Sequence, residues 1–203
     1  SLVGSEMCIR DRICICPSDK ADFRMRMFNA DASEGMMCGN GSRCIAKFVY
    51  DKGLTQKNPI TLETLSGIKT IAMDVADGKV VSATVDMGVP ITDPSSIPMT
   101  WEKSICLDET ITVTVDGAPL SLRGTGVSMG NPHFVTFVED VATAPVEKVG
   151  RVIEHSSYFP ERVNVEFVEI VDDNHVKFRV WERGSGETLA LSLIHISEPT
   201  RLA

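Results

Sequence analysis

Positive charge is what this sequence is short of. Its 20 Lys and Arg stand against 28 Asp and Glu, a formal net charge of −8, and no basic stripe forms along it. A nucleic-acid partner, which needs cations to face phosphates, is therefore not expected. Long apolar runs are missing too. None approaches the roughly 20 residues of a membrane span, and no secretory signal pattern is present, so a cytoplasmic location without membrane partners is expected. Metal-ligand spacing is also absent: the six cysteines supply no pair of Cys-x-x-Cys motifs, and Cys14 and Cys16 with Cys38 would make a poor zinc set. No disulfide framework is expected in a domain of this size, so the thiols are read as reduced. A phosphate loop at Gly124-Thr125-Gly126 fails for want of a third glycine and a lysine.

The two ends lack the character of protein. One DNA strand that encodes Leu2 to Asp11 encodes Leu191 to Arg201 when its complement is read, and both stretches resemble translated sequencing-library adapter. Residues 1–12 and 191–203 are accordingly read as adapter-like scars and set aside. Cys8 goes with them, and Cys14 and Cys16 lie uncomfortably close. What remains is enough for one domain or two small ones.

Phe23 to Phe28 alternates like a strand. After Gly41 the spacing turns helical: Cys44, Ile45, Phe48 and Val49 give two i, i+4 pairs, and Lys52-Gly53 makes a stop. Cys44 is expected in the core. Strands are predicted near Ile60–Glu63, Lys69–Val75 and Val80–Asp86, with Asp77-Gly78 as a hairpin turn. Gly88 to Pro98 reads as a linker. Strands near Thr110–Val115, Gly126–Met129 and His133–Val138, a helix over Val146–His155, and strands near Val163–Ile170 and Val176–Trp181 follow. The domains predicted are thus 13–87 and 88–190, two similar α+β lobes, with a site at their interface.

Three stretches carry chemistry. Cys38 stands before Gly39-Asn40-Gly41 at the mouth of the first helix, where the helix dipole and backbone N–H groups can hold a thiolate and an anion beside it. A cysteine there for packing alone would not require such a turn. Gly130-Asn131-Pro132-His133 is either a plain Asn-Pro turn or a lip where Asn131 and His133 hold a polar substrate and orient a proton-transfer partner; both readings stand. Glu182-Arg183 before Gly184-Ser185-Gly186 is either a surface ion pair or a clamp, with Arg183 on a substrate carboxylate and Glu182 near an ammonium. Asn164, a lone polar residue in its strand, could equally be structural.

These segments together resemble diaminopimelate epimerase. The match runs through Phe28-Asn29-Ala30-Asp31, Cys38-Gly39-Asn40-Gly41, Val127 to His133, Phe159 to Asn164 and Glu182 to Thr188, in order over essentially all of residues 18 to 190. The resemblance implies an α/β (α+β) fold of two pseudo-symmetric lobes, each a β-barrel-like sheet around a central helix, with the site in the cleft. It implies an isomerase with no cofactor, neither pyridoxal phosphate nor metal, acting on a small-molecule substrate. That enzyme interconverts LL- and meso-diaminopimelate for lysine and peptidoglycan synthesis, and a homodimer is possible for its full-length form. Two cysteines act from opposite sides of the α-carbon, one as thiolate base and one as thiol acid.

By the same resemblance Cys38 is one of those thiols, with His133 and Glu182 tuning the pair. Gly39 and Asn40 offer N–H groups to the reacting carboxylate. Asn29, Asn131, Asn164, Glu182 and Arg183 hold the substrate. The chain departs from the family pattern where it matters most: the second cysteine should follow Leu189-Ala190, and Leu191 stands there. The family's opening strands are absent, Ala32 replaces a glycine in the Asn29 loop, and the second lobe should lack its central helix. The expectation is an epimerase fragment without activity of its own. The alternatives are a proline racemase-like or other isomerase of the same fold, and a fragment that binds an amino acid without turning it over.

Overall fold

A computed structural model of the chain describes residues 12–28 and 34–188. They fall into two compact units that meet in sequence at Gly88 and Val89. Each unit is one sheet with one α-helix against it, a mixed α+β arrangement.

The first unit contains β1 (Arg12–Cys16), β2 (Phe23–Phe28), β3 (Glu34–Gly35), α1 (Gly39–Asp51), β4 (Ile60–Thr64), β5 (Gly67–Ala76) and β6 (Lys79–Val85). Its strands lie in the order β1-β2-β4-β5-β6, with β3 paired to β2. β2 and β4 are parallel, and α1 supplies the crossover that parallel neighbours require. Alternation sorts the side chains. Met25 and Met27 are buried while Arg24 and Arg26 lie on the other side of β2. Ile60, Leu62, Ile71 and Met73 join Met25, Ile45, Ala46 and Val49 in one core.

The second unit contains a short 3₁₀ turn at Pro94–Ser96, then β7 (Glu109–Val115), β8 (Ala118–Ser128), β9 (Pro132–Phe137), α2 (Val146–Glu154), β10 (Asn164–Asp172), β11 (His175–Glu182) and β12 (Gly186–Thr188). The order is β12-β11-β10-β9-β8-β7. β9 and β10 are the parallel pair and α2 is their crossover, so both units share an antiparallel pair, a helical crossover and an antiparallel run. Ile111, Val113, Phe134, Val165 and Phe167 pack with Val149 and Ile153 of α2. Strand alternation then sends His133, Asn164 and Glu166 to the face away from that helix.

Four expectations change. Cys44 is exposed rather than core, and Phe48, one turn on, is 48% exposed. The buried stripe of α1 is Gly41, Ser42, Ile45, Ala46 and Val49, and at 100° per residue Cys44 and Phe48 fall beside it. The expected linker is partly core: Ile97 and Met99 are buried, and Ile91 bridges to Ser128. Arg12–Cys16, so near the adapter-like end, is a strand paired along its length with β2. β8 is longer than the predicted Gly126–Met129: Leu120 and Leu122 lean on the core and alternate with exposed Ser121 and Arg123, which carries the strand back to Ala118. Among the described residues, no helix is long and apolar enough to cross a membrane.

Candidate active site

Cys38 is the N-cap of α1, in extended backbone conformation. The Gly41 backbone N–H donates to Cys38 Sγ at 3.3 Å. The helix ladder begins with Ser42 N–H donating to the Cys38 carbonyl at 2.8 Å, so the N–H groups of Gly39 and Asn40 precede it. A side-chain oxygen is the usual acceptor at an N-cap. A thiol accepts poorly there and a thiolate well. A Cβ at Gly41 would stand 2.7 Å from the terminal methyl of Ile13 and 3.4 Å from Sγ. Asn40 Oδ1 accepts from the Arg43 guanidinium. Cys106, by contrast, is fully buried, and burial pushes its thiol up, away from reactivity. Asn29 lies outside the described residues.

The other expected site residues gather at one end of the second unit's sheet. β9 and β10 are parallel, so their first residues share an end, and antiparallel β11 finishes there. His133 pairs in register with Asn164, Asn131 lies two residues before His133, and Arg183 directly follows β11. Asn164 is 5% exposed and ties this end together. Its Nδ2 donates to the Pro132 carbonyl at 3.3 Å and its Oδ1 accepts the Arg183 N–H at 2.8 Å. The Arg183 guanidinium donates to the Glu161 carbonyl at 3.3 Å. Glu182 Oε1 accepts from Thr188 Oγ1 at 2.6 Å, which links the two strands on either side of the glycine turn.

His133 is 1% exposed and both of its ring nitrogens are engaged. Nδ1 meets Glu166 Oε1 at 2.6 Å and Nε2 meets Asn131 Oδ1 at 2.9 Å. Burial pushes the Glu166 carboxyl up, with His133 opposing. Two further buried carboxyls, Glu166 and Glu154, lie beyond the residues expected from sequence. The signal for Glu166 was available: in β10, Val165 and Phe167 take one face and Asn164 and Glu166 the other. Glu154 gave no such signal, since it sits at the last turn of α2, where the dipole disfavours a carboxylate. It is buried because Trp181 Nε1 donates to Oε2 at 2.6 Å and the Gly184 N–H donates to Oε1 at 3.0 Å. Those two bonds pin the turn that carries Arg183.

Chemically, the first unit offers a thiol at a helix N-terminus. The second offers an end rich in fixed amide, imidazole and guanidinium groups. Among the described residues, no cluster of three His, Cys, Asp or Glu could hold a metal ion.

A family model described as diaminopimelate epimerase matches residues 10–92 and 125–190. Diaminopimelate epimerase of Methanococcus maripaludis is 53% identical over 178 residues, covering 88% of this chain and 63% of that protein. Its counterpart from Acetivibrio thermocellus is 51% identical, covering 88% and 62%. The chain thus spans under two thirds of the length of these relatives. Among solved structures, a probable proline racemase from Agrobacterium radiobacter K84 superposes with a TM-score of 0.66 at 15% identity, covering 88% of this chain and 55% of that one, which speaks for the fold alone. The matched residues include Cys38 with its glycines and the Asn131, His133, Asn164 and Arg183 cluster, and the chain belongs to the diaminopimelate epimerase family.

Proposed function

We propose that the enzyme represented by this chain interconverts LL- and meso-diaminopimelate by moving the α-proton with thiols. In this reading it works in the cytoplasm without pyridoxal phosphate or metal, in the synthesis of lysine and peptidoglycan. The observation that carries the proposal is Cys38 at the N-cap of α1, its sulfur accepting the Gly41 N–H. A carbon acid next to a carboxylate needs a base that is strong yet ionised near neutral pH, and a helix N-terminus supplies that to a cysteine. The carbanion formed needs positive potential at its carboxylate, which the N–H groups of Gly39 and Asn40 are disposed to give. Asn29, Asn131, Asn164, Glu182 and Arg183 recognise the polar ends of the substrate.

Inversion needs a second acid/base group on the opposite face of the α-carbon, and the last cysteine in the sequence is Cys106, which is buried. The 203-residue polypeptide by itself is therefore proposed not to epimerise. The test joins residues 12–190 to the flanking segments of the Acetivibrio thermocellus relative. The chimera should invert LL-diaminopimelate and exchange its α-hydrogen in deuterated water, whereas the 203-residue chain should not. Turnover of proline in preference to diaminopimelate would sink the substrate assignment.

A further inference from the structure

The structure assigns Glu166 a positioning role: with a proton on Oε1 it donates to His133 Nδ1, fixing the ring tautomer whose Nε2–H donates to Asn131 Oδ1, so that Asn131 offers a ligand its Nδ2 hydrogens. The ligand step rests on the substrate-binding reading of Asn131 given above; the tautomer does not.

Asn131 presents Oδ1 to His133 Nε2 at 2.9 Å, and a carboxamide oxygen can only accept, so Nε2 carries a hydrogen. At the other nitrogen Glu166 Oε1 lies 2.6 Å away, and one proton must sit between them. It belongs to the carboxyl if Glu166 is neutral, and to the ring if the two form an ion pair. Glu166 Oε2 decides between these. It is buried and has no hydrogen-bond partner among the described residues, on a residue only 6% exposed. A bare buried oxygen is tolerable on a neutral carboxyl, where it is the carbonyl, and costly on a carboxylate that must spread its charge over both oxygens. Burial acts on Glu166 in the same direction, pushing its carboxyl up. The backbone fixes the geometry: Asn164 pairs with His133 across the parallel strands, and Glu166 lies two residues on along β10, on the same face.

An asparagine held only by its backbone can turn either its oxygen or its nitrogen outward. One held through its oxygen shows donors, which suit a carboxylate or carbonyl on the ligand and disfavour an ammonium. Glu166 would thus act through two side chains on what the site accepts.

Side-chain ¹H–¹⁵N spectra of the uniformly labelled 203-residue chain at pH 7 test this, with His133 assigned by its loss in H133Q. The expected wild-type pattern is a protonated Nε2 and an unprotonated Nδ1. E166Q should retain it, because the glutamine amide N–H replaces the carboxyl proton, while E166M should give a mixture of both tautomers. A protonated Nδ1 in the wild type overturns the assignment, and so does loss of the pattern in E166Q or its persistence in E166M. Should E166M fail to fold, the first two outcomes still decide it. Titration of the chimera described above, with and without each substitution, with meso-diaminopimelate then separates the two readings. Binding should be wild-type-like in E166Q and weaker by roughly tenfold in E166M, and equal affinity in E166M overturns the ligand step. The expected ring pattern with no saturable binding by the chimera overturns the substrate reading and leaves the tautomer standing.

Discussion

The Gly41 N–H and the Cys38 sulfur lie 3.3 Å apart across the first turn of α1, so the helix is capped by a thiol. The same contact that stabilises the helix start also stabilises negative charge on sulfur. Cys38 should therefore be alkylated by iodoacetamide at pH 7 faster than Cys44, and far faster than buried Cys106, as read by peptide mass spectrometry. In denaturant melts C38A should cost about 1 kcal/mol, the usual worth of a lost N-cap, and C38S should recover most of it. Equal labelling of Cys38 and Cys106 would contradict the assignment.

Glu154 accepts from both Trp181 Nε1 and the Gly184 N–H, one bond at each carboxylate oxygen. Glutamine has a single acceptor oxygen and must leave one of the two donors unsatisfied. E154Q should lower stability by about 1–3 kcal/mol and shift the tryptophan emission. Arg183 sits in the pinned turn, so the same variant in the chimera should also raise the KM for diaminopimelate.

Gly150 lies where α2 crosses β11. A Cβ there would stand 2.5 Å from Trp181 Cβ and 2.7 Å from its Cγ, too near for either atom to yield without moving strand or helix. G150A should cost about 1–3 kcal/mol in spite of alanine's better helix propensity. Thermal melts of the two proteins check it, and a stabilised variant would show that α2 does not pack as described.

Asp22 joins the start of β2 to β4: its Oδ2 accepts from the Thr61 N–H at 2.8 Å and from Thr61 Oγ1 at 2.9 Å. Lys57 pairs with it. The lysine and these bonds hold its carboxyl below the ordinary value of 3.8. A carboxyl whose folded pKa is depressed contributes stability above its unfolded value and loses it as pH falls through the folded one. The stability gap between wild type and D22N should therefore be full at neutral pH and close progressively below about pH 4. A gap that widened on acidification would contradict the sign.

Much of this was legible in the residues. Alternation in Phe23–Phe28 and the Gly-Asn-Gly turn after Cys38 place a strand and the helix mouth from the residues alone. What stayed hidden depends on packing between distant segments. Cys44 and Phe48 follow helical spacing as well as Ile45 and Val49 do, and only the sheet decides which stripe is covered. Ile97 and Met99 look like linker until the second core closes over them. The Glu166–His133–Asn131 chain requires knowing that β9 and β10 run parallel in one register, which local pattern cannot specify. Glu154 contradicts the usual charge preference at a helix end and makes sense only beside Trp181 and Gly184.

The most direct test of the central claim is solvent deuterium incorporation at the α-carbon of LL-diaminopimelate, followed by proton NMR with the chimera and its C38A variant. The chimera should exchange with inversion, and C38A should lose about 10²–10⁴ in rate, the usual worth of a positioned base. Exchange and inversion in C38A at the parent rate would contradict that claim.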